Sequence, residues 1–278
     1  MTFELTDPAY EIGDLAQWLI GLPAATSPTL KILSLALDLP DGSYEYLELM
    51  AAARLRLKRL GDLAQTMLGG GISADRCNEV KQAADNLAFV FHPASQTTQW
   101  ASVLGSHVTT KDGFAFAMFS PHAQRVRPLR LLGDGERPLL LMKIEEAIEQ
   151  LEKDEDFFGR SEIIASMERL KLVLTYFRFF GHEMAISDLA SAVAKVKVAS
   201  EKDTSTIKRV GLTVTALVAA MELMLLPANA IQGIQTYNDF YLHQAKPLLL
   251  GFHEKFLIEG PEAHRKRAGA EVSDASGG

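Results

Sequence analysis

At 278 residues, 47% of them apolar, the chain is long enough for one large or two ordinary domains with a substantial buried core. A formal net charge of −7 excludes a protein whose whole surface grips nucleic acid, while leaving room for local basic patches. The single cysteine, Cys77, excludes an intramolecular disulfide and a thiolate metal cluster within one chain, which fits a reducing compartment.

The first residues, Met1-Thr-Phe-Glu-Leu-Thr-Asp-Pro8, have no basic start and no continuous apolar segment, so no secretory signal is expected. Asp7-Pro8 reads as an N-cap followed by proline at the first helical position, and Gly21 as the stop of that helix. Ser27-Pro28 is expected to open a second helix in the same way, with Lys31, Ser34 and Asp38 on its polar face. A long helix follows from Ser43 to Leu68, acidic in its first turns (Glu45, Glu48) and basic further on, an order that suits the helix dipole. Gly69-Gly70-Gly71 ends it, Ser73 caps the next helix, and Pro93 closes that one. The motif Gly-Asp-Leu-Ala-Gln occurs at 13–17 and again at 61–65, with no third copy in register, and reads as reuse of a helix-ending pattern rather than a repeat.

The stretch 105–137 has a different texture. Lys111-Asp112-Gly113 and Gly133-Asp134-Gly135 are turn signals, and Pro121, Pro128 and Pro138 discourage long helices. It is read as a turn-rich connector with at most a small β-hairpin, dividing an N-terminal helical part (1–104) from a C-terminal helical bundle (138–259). Beyond Pro138 the helical period returns, with Leu140, Ile144, Ile148 and Leu151 on one face and Glu145, Glu146, Glu149 and Glu152 on the other. Ser161 is read as the cap of a further helix ending at Gly181, and Ser187-Asp188 as the start of another. Residues 260–278 are small, charged and poor in bulky apolar groups, and are expected to be a disordered tail.

The most apolar run, Arg209 to Leu226, poses the choice between a membrane span and a core helix. Its length approaches the ~20 residues that a bilayer requires, with Lys202, Lys208 and Arg209 just before it. Written in sevens, however, Val210, Leu217, Met224 and Ile231 share one position, as do Ile207, Val214 and Met221, while Lys208, Thr215, Glu222 and Asn229 form a narrow polar stripe. Such a stripe suits a helix buried on most of its circumference with one edge in water. At a bilayer midplane Glu222 would cost roughly 2.5–3.5 kcal/mol. The core helix is therefore the expectation, and an assembly in which Thr215 and Glu222 line a pore is its rival.

Chemical motifs are sparse. His182-Glu183 and His253-Glu254 lack the second histidine of a zinc-protease helix, and the glycines at 69–71 lack the lysine of a phosphate loop. No nucleophile elbow is present, and Cys77 is expected to be a small apolar filler on a helix face. No catalytic, cofactor-binding or metal-binding residue is assigned. The interaction candidates are the basic clusters Arg54, Arg56, Lys58 and Arg59, then Arg125, Arg127 and Arg130, and the aromatic group Tyr176-Phe-Arg178-Phe-Phe180. A third basic cluster, Arg265-Lys266-Arg267, falls in the tail.

The sequence thus predicts a mainly α, cytoplasmic protein, a multi-helix bundle or irregular helical array. It is expected to have no catalytic activity and to work through a protein partner as an adaptor, regulator or assembly subunit, with homo-oligomerisation open. The alternatives are a membrane-active effector inserting residues 210–230 and a nucleic-acid-binding module using the basic clusters.

Overall fold

The computed structural model describes residues 5–68, 71–133, 135–202 and 210–224. The expected tail at 260–278 and the third basic cluster lie outside the described residues. Among the described residues there are ten α-helices and a single two-stranded antiparallel ladder, so the chain is mainly α.

The chain forms two compact units. The first takes Met1–Leu131 together with the short segment Tyr176–His182. The second takes Leu132–Thr175 and the described residues from Glu183 on.

In the first unit, α1 (Pro8–Ile20) starts where the sequence says it should. Oδ1 of Asp7 accepts the backbone N–H groups of Ala9 at 2.8 Å and Tyr10 at 3.0 Å, and Gly21 is the C-cap. Ser120 donates a third hydrogen bond to the same carboxylate. Burial, the largest influence, pushes the Asp7 pKa up against the pull of these hydrogen bonds. Replacing Asp7 with alanine is therefore expected to cost roughly 1–2 kcal/mol in urea denaturation, the usual worth of such a cap. Asp7→Asn, which keeps an acceptor and removes the buried charge, is expected to cost less.

Ser43 and Ser73 cap α3 (Tyr44–Thr66) and α4 (Ala74–Val90) by accepting the N–H of Tyr46 and Arg76. Helix α2 (Thr29–Leu37) begins differently from the expectation. Ser27 is no cap; the first-turn donors of α2 are met by a loop, with Thr29 N–H donating to Thr98 O at 2.9 Å and Leu30 N–H to Gln96 O at 3.0 Å. Ser34, expected on a polar face, is buried and donates to Leu30 O, while Asp38 ends the helix in the left-handed conformation (φ 54°).

The connector expected at 105–137 is not one. It holds the end of α5 (Trp100–His107) and all of α6 (Thr110–Val126). The supposed turn at Lys111-Asp112-Gly113 is the first turn of α6, fixed by a capping box in which Thr109 accepts the N–H of Asp112 and Asp112 accepts that of Thr109. Pro121 is tolerated because it and Ala117, whose carbonyl it leaves without a donor, both face solvent. Phe116, Phe119 and Ala123 bury the opposite face, where α6 packs on α1 and α4. Just past the helix, Leu129–Arg130 (β2) pairs with Leu5–Thr6 (β1).

The repeated Gly-Asp-Leu-Ala-Gln acquires a physical reading here. In both copies the Leu and Ala are buried and the Asp is exposed. In both, the Gly marks a helix crossing: a Cβ at Gly13 would stand 3.9 Å from Cβ of Phe116, and one at Gly61 would stand 3.5 Å from Cγ of Lys81. The two copies are the same solution to packing one helix closely against another.

In the second unit, α7 (Glu136–Lys153) buries Leu140, Ile144, Ile148 and Leu151 and exposes Glu145, Glu146, Glu149 and Glu152, as its period predicts. It packs against α8 (Arg160–Thr175) and α10 (Gly211–Met224). Neither Ser161 nor Ser187 is a helix start: Ser161 lies within α8, and Ser187 lies within α9 (Phe177–Lys202), a helix interrupted by non-helical backbone at Gly181.

Helix α10 covers the described part of the apolar run. Val210, Thr213, Ala216, Leu217, Ala220, Met221 and Met224 are buried, whereas Leu212 and Thr215 are exposed, so the helix is covered on most of its circumference. Thr215 turns its hydroxyl back onto Gly211 O at 3.0 Å. No helix among the described residues is long and apolar enough to cross a membrane. Ile207, Lys208, Asn229, Ile231 and the side chain of Glu222 lie outside what is described.

Candidate functional site

Two features of the first unit bring together residues that the sequence singles out. The first is internal. Arg56 lies on α3 at the helical spacing of Leu49, Ala53 and Leu60, so the helix carries its guanidinium into the core. There Nη2 donates to Oε2 of Glu11 on α1 at 2.6 Å, and Nη1 to the backbone oxygen of Arg178 at 2.6 Å. The other carboxylate oxygen of Glu11 meets Nδ1 of His182. His182 is 1% exposed, and its ring meets Phe177 edge-on with centroids 4.7 Å apart. Its Nε2 is buried with no hydrogen-bond partner among the described residues.

The whole segment Tyr176–His182 is anchored residue by residue within this unit. Tyr176 donates its hydroxyl to Leu37 O at 3.3 Å. Arg178 donates to Asp14 at 2.8 Å and lies 5.9 Å from the Trp18 ring centroid. Phe179 meets Trp18 and Phe91 edge-on at 5.4 and 6.0 Å. Phe180 is fully buried. Of the aromatic candidates, then, Phe180 offers no surface and Tyr176 is half-buried; Arg178 remains exposed.

Burial would by itself push the Glu11 pKa up; the charges of His182 and Arg56 and the hydrogen bond from His182 outweigh it and hold the carboxyl below its ordinary value near 4.5. A carboxyl whose folded pKa is depressed contributes stability above its unfolded pKa and loses it as the pH falls through the folded value. The urea midpoint is therefore expected to fall on acidification below about pH 4.5, and Glu11→Gln to shallow that acid limb relative to the wild type.

The second feature is external. Tyr44, Leu47, Ala51 and Leu55 recur at helical spacing along α3, and all four are exposed, Tyr44 to 76% and Leu47 to 58%. The stripe runs into an open groove of about 520 Å³ between α3 and α4, lined by Ala51, Leu55, Gly61 and Ala88, by the cations Arg54, Lys58 and Lys81 and by the carboxylates Asp62 and Asp85. Lys58 pairs with Asp62 at 2.8 Å and Lys81 with Asp85 at 2.5 Å, all four side chains being largely solvated.

These placements divide the basic clusters. Arg54 and Arg59 are exposed on α3, but Arg56 is buried and bound, so the first cluster is no continuous basic surface. Arg125 is exposed in the last turn of α6, Arg127 is the C-cap of that helix and Arg130 lies on β2; the latter two are half-buried and not free. Cys77 is fully buried, and burial raises its thiol pKa. His92 and His107 both stack on Phe89, with centroids 6.1 and 4.2 Å away. Among the described residues no group of three or more histidine, cysteine, aspartate or glutamate side chains is arranged to hold a metal ion.

Compared with protein-family models, curated proteins and solved structures, the chain matches none.

Proposed function

We propose that this chain works by protein contact, as an adaptor or assembly subunit whose α3 face receives a partner. One observation carries the reading: four apolar side chains in helical register, Tyr44, Leu47, Ala51 and Leu55, stand in water on a helix whose other face is core. Scattered apolar residues on a surface require no explanation, but a continuous stripe beside a groove is the pattern of a helix-docking surface. The flanking Arg54 and Lys58 supply the polar rim that such surfaces use for orientation.

The test is site-specific photo-crosslinking in the native host. A crosslinker at Leu47 is expected to give a discrete protein adduct that is lost with Leu55→Glu, while the same group at exposed Glu79 on α4 gives none. Absence of any adduct at Leu47 would sink the reading.

A further inference from the structure

The outward face of α6 forms another exposed surface, separate from α3. Phe114, Ala117, Met118 and Pro121 recur along it at helical spacing, all exposed, Phe114 to 66% and Met118 to 38%. Helix α1 borders it. Gln17 reaches α6 at Gly113, where an added Cβ would stand 3.2 Å from its Nε2, and Tyr10, two turns earlier on the same side of α1, is 54% exposed. Lys111 and Arg125 lie near the two ends of the stripe, on the arc of Phe114 and Met118. Both are exposed, and neither pairs with a carboxylate among the described residues. The one carboxylate of α6, Asp112, is buried on the opposite side in the capping box, and Asp14, the exposed acid of α1, is held by Arg178 at 2.8 Å.

We propose that this face docks on an anionic lipid surface, with α6 lying in the headgroup plane. An apolar centre between unpaired cations is the pattern of a helix that rests in such a plane. Phe114 and Met118 enter the acyl boundary, Lys111 and Arg125 meet lipid phosphates, and Tyr10 takes the headgroup level where amphipathic rings settle. Two observations favour lipid over other partners. Pro121 leaves the Ala117 carbonyl without its helical donor on this face; a hydrated headgroup layer satisfies that oxygen, whereas a dry protein contact would strand it. A nucleic acid would require cations at the centre of the surface, where Phe114 and Met118 stand. With two cations and few inserted side chains, the attachment is reversible and salt-sensitive.

Co-sedimentation of the full chain with mixed phosphatidylserine–phosphatidylcholine vesicles tests this, with phosphatidylcholine vesicles as the second arm. The wild type is expected to pellet with the anionic vesicles far more than with the neutral ones, and to be released by salt. Lys111→Ala/Arg125→Ala is expected to weaken partitioning about 25-fold, roughly fivefold for each charge, and Phe114→Asp to abolish it. All three side chains are solvated, so the far-UV circular dichroism of these variants is expected to match the wild type. Insertion is read separately at position 114. In Phe114→Cys a thiol-reactive, environment-sensitive fluorophore labels that site alone, because Cys77 is fully buried. Its emission is expected to shift to the blue on anionic vesicles, while the same dye at Glu79→Cys on exposed α4 surface does not shift. A wild-type chain that stays in the supernatant at low salt, equal binding to both vesicle types, binding that survives Phe114→Asp, or an unshifted dye at position 114 would each overturn the proposal. None of these outcomes bears on the Leu47 adduct, so the α3 reading stands or falls separately.

Discussion

Replacing Glu11 with alanine is expected to remove about 3–5 kcal/mol from the stability of the first unit at neutral pH. Exposed ion pairs contribute little because water screens them, but the Arg56 and Glu11 side chains are only 7% and 11% exposed. With Glu11 gone, Arg56 keeps one backbone acceptor, the oxygen of Arg178, and the rest of its charge stays in the core without a counterion. His182 loses the partner of its Nδ1 in the same step. Equilibrium urea denaturation, followed by the fluorescence of Trp18 and Trp100 in this unit, reads the loss. Converting the pair together, as Glu11→Leu/Arg56→Met, is expected to cost less than the sum of the single changes, because removing both charges abolishes the stranded one. Strict additivity in that cycle would show that the pair is not coupled.

The second large effect is expected at Gly181. Its backbone sits at φ 67°, ψ 177°, a region open almost only to glycine, where any other residue is strained by about 1–3 kcal/mol. A Cβ added there would also overlap the guanidinium of Arg56, whose position is fixed from both sides by Glu11 and by Arg178 O. Gly181→Ala therefore adds backbone strain to displacement of the buried ion pair, and a combined loss of about 3–5 kcal/mol is expected. Gly105 is the control. It lies within α5 with open space where a Cβ would go, so Gly105→Ala is expected to stabilise by about 0.5–1 kcal/mol. The same urea transition measures both, and equal effects at the two positions would refute the account of Gly181.

What the sequence reveals of this fold is its local part. The caps at Asp7 and Ser73 are legible because the donor and acceptor lie within three residues of each other. The buried face of α7 and the covered circumference of α10 are legible because helical period converts directly into burial. Helix α6 is not, since its turn-like residues acquire their meaning from a capping box and its proline from a solvent-facing position that only the packed neighbours define. The Glu11–Arg56–His182 cluster joins residues 45 and 171 positions apart, and no spacing rule reaches that far. A signal for half of it was present nonetheless. Arg56 falls in register with Leu49, Ala53 and Leu60, and a charge on an apolar face must find a counterion somewhere in the chain. The α3 stripe was visible in the same way, as apolar residues at Tyr44, Leu47, Ala51 and Leu55 opposite the core-facing positions, but which of the two faces stays in water is decided by α4.

The insertion of Tyr176–His182 has a consequence for how the protein is made. Translation delivers residues in order at about 5–20 per second, and roughly 50 of them separate Leu131 from the end of that segment. For some 3–10 s after its own polypeptide has been synthesised, the amino-terminal half must wait with Arg56 and Glu11 lacking His182, and with Trp18 and Phe91 lacking Phe179. A ribosome-bound nascent chain arrested before residue 176 emerges should accordingly be more protease-sensitive, and more attractive to chaperones, than one arrested after residue 182 has cleared the exit tunnel.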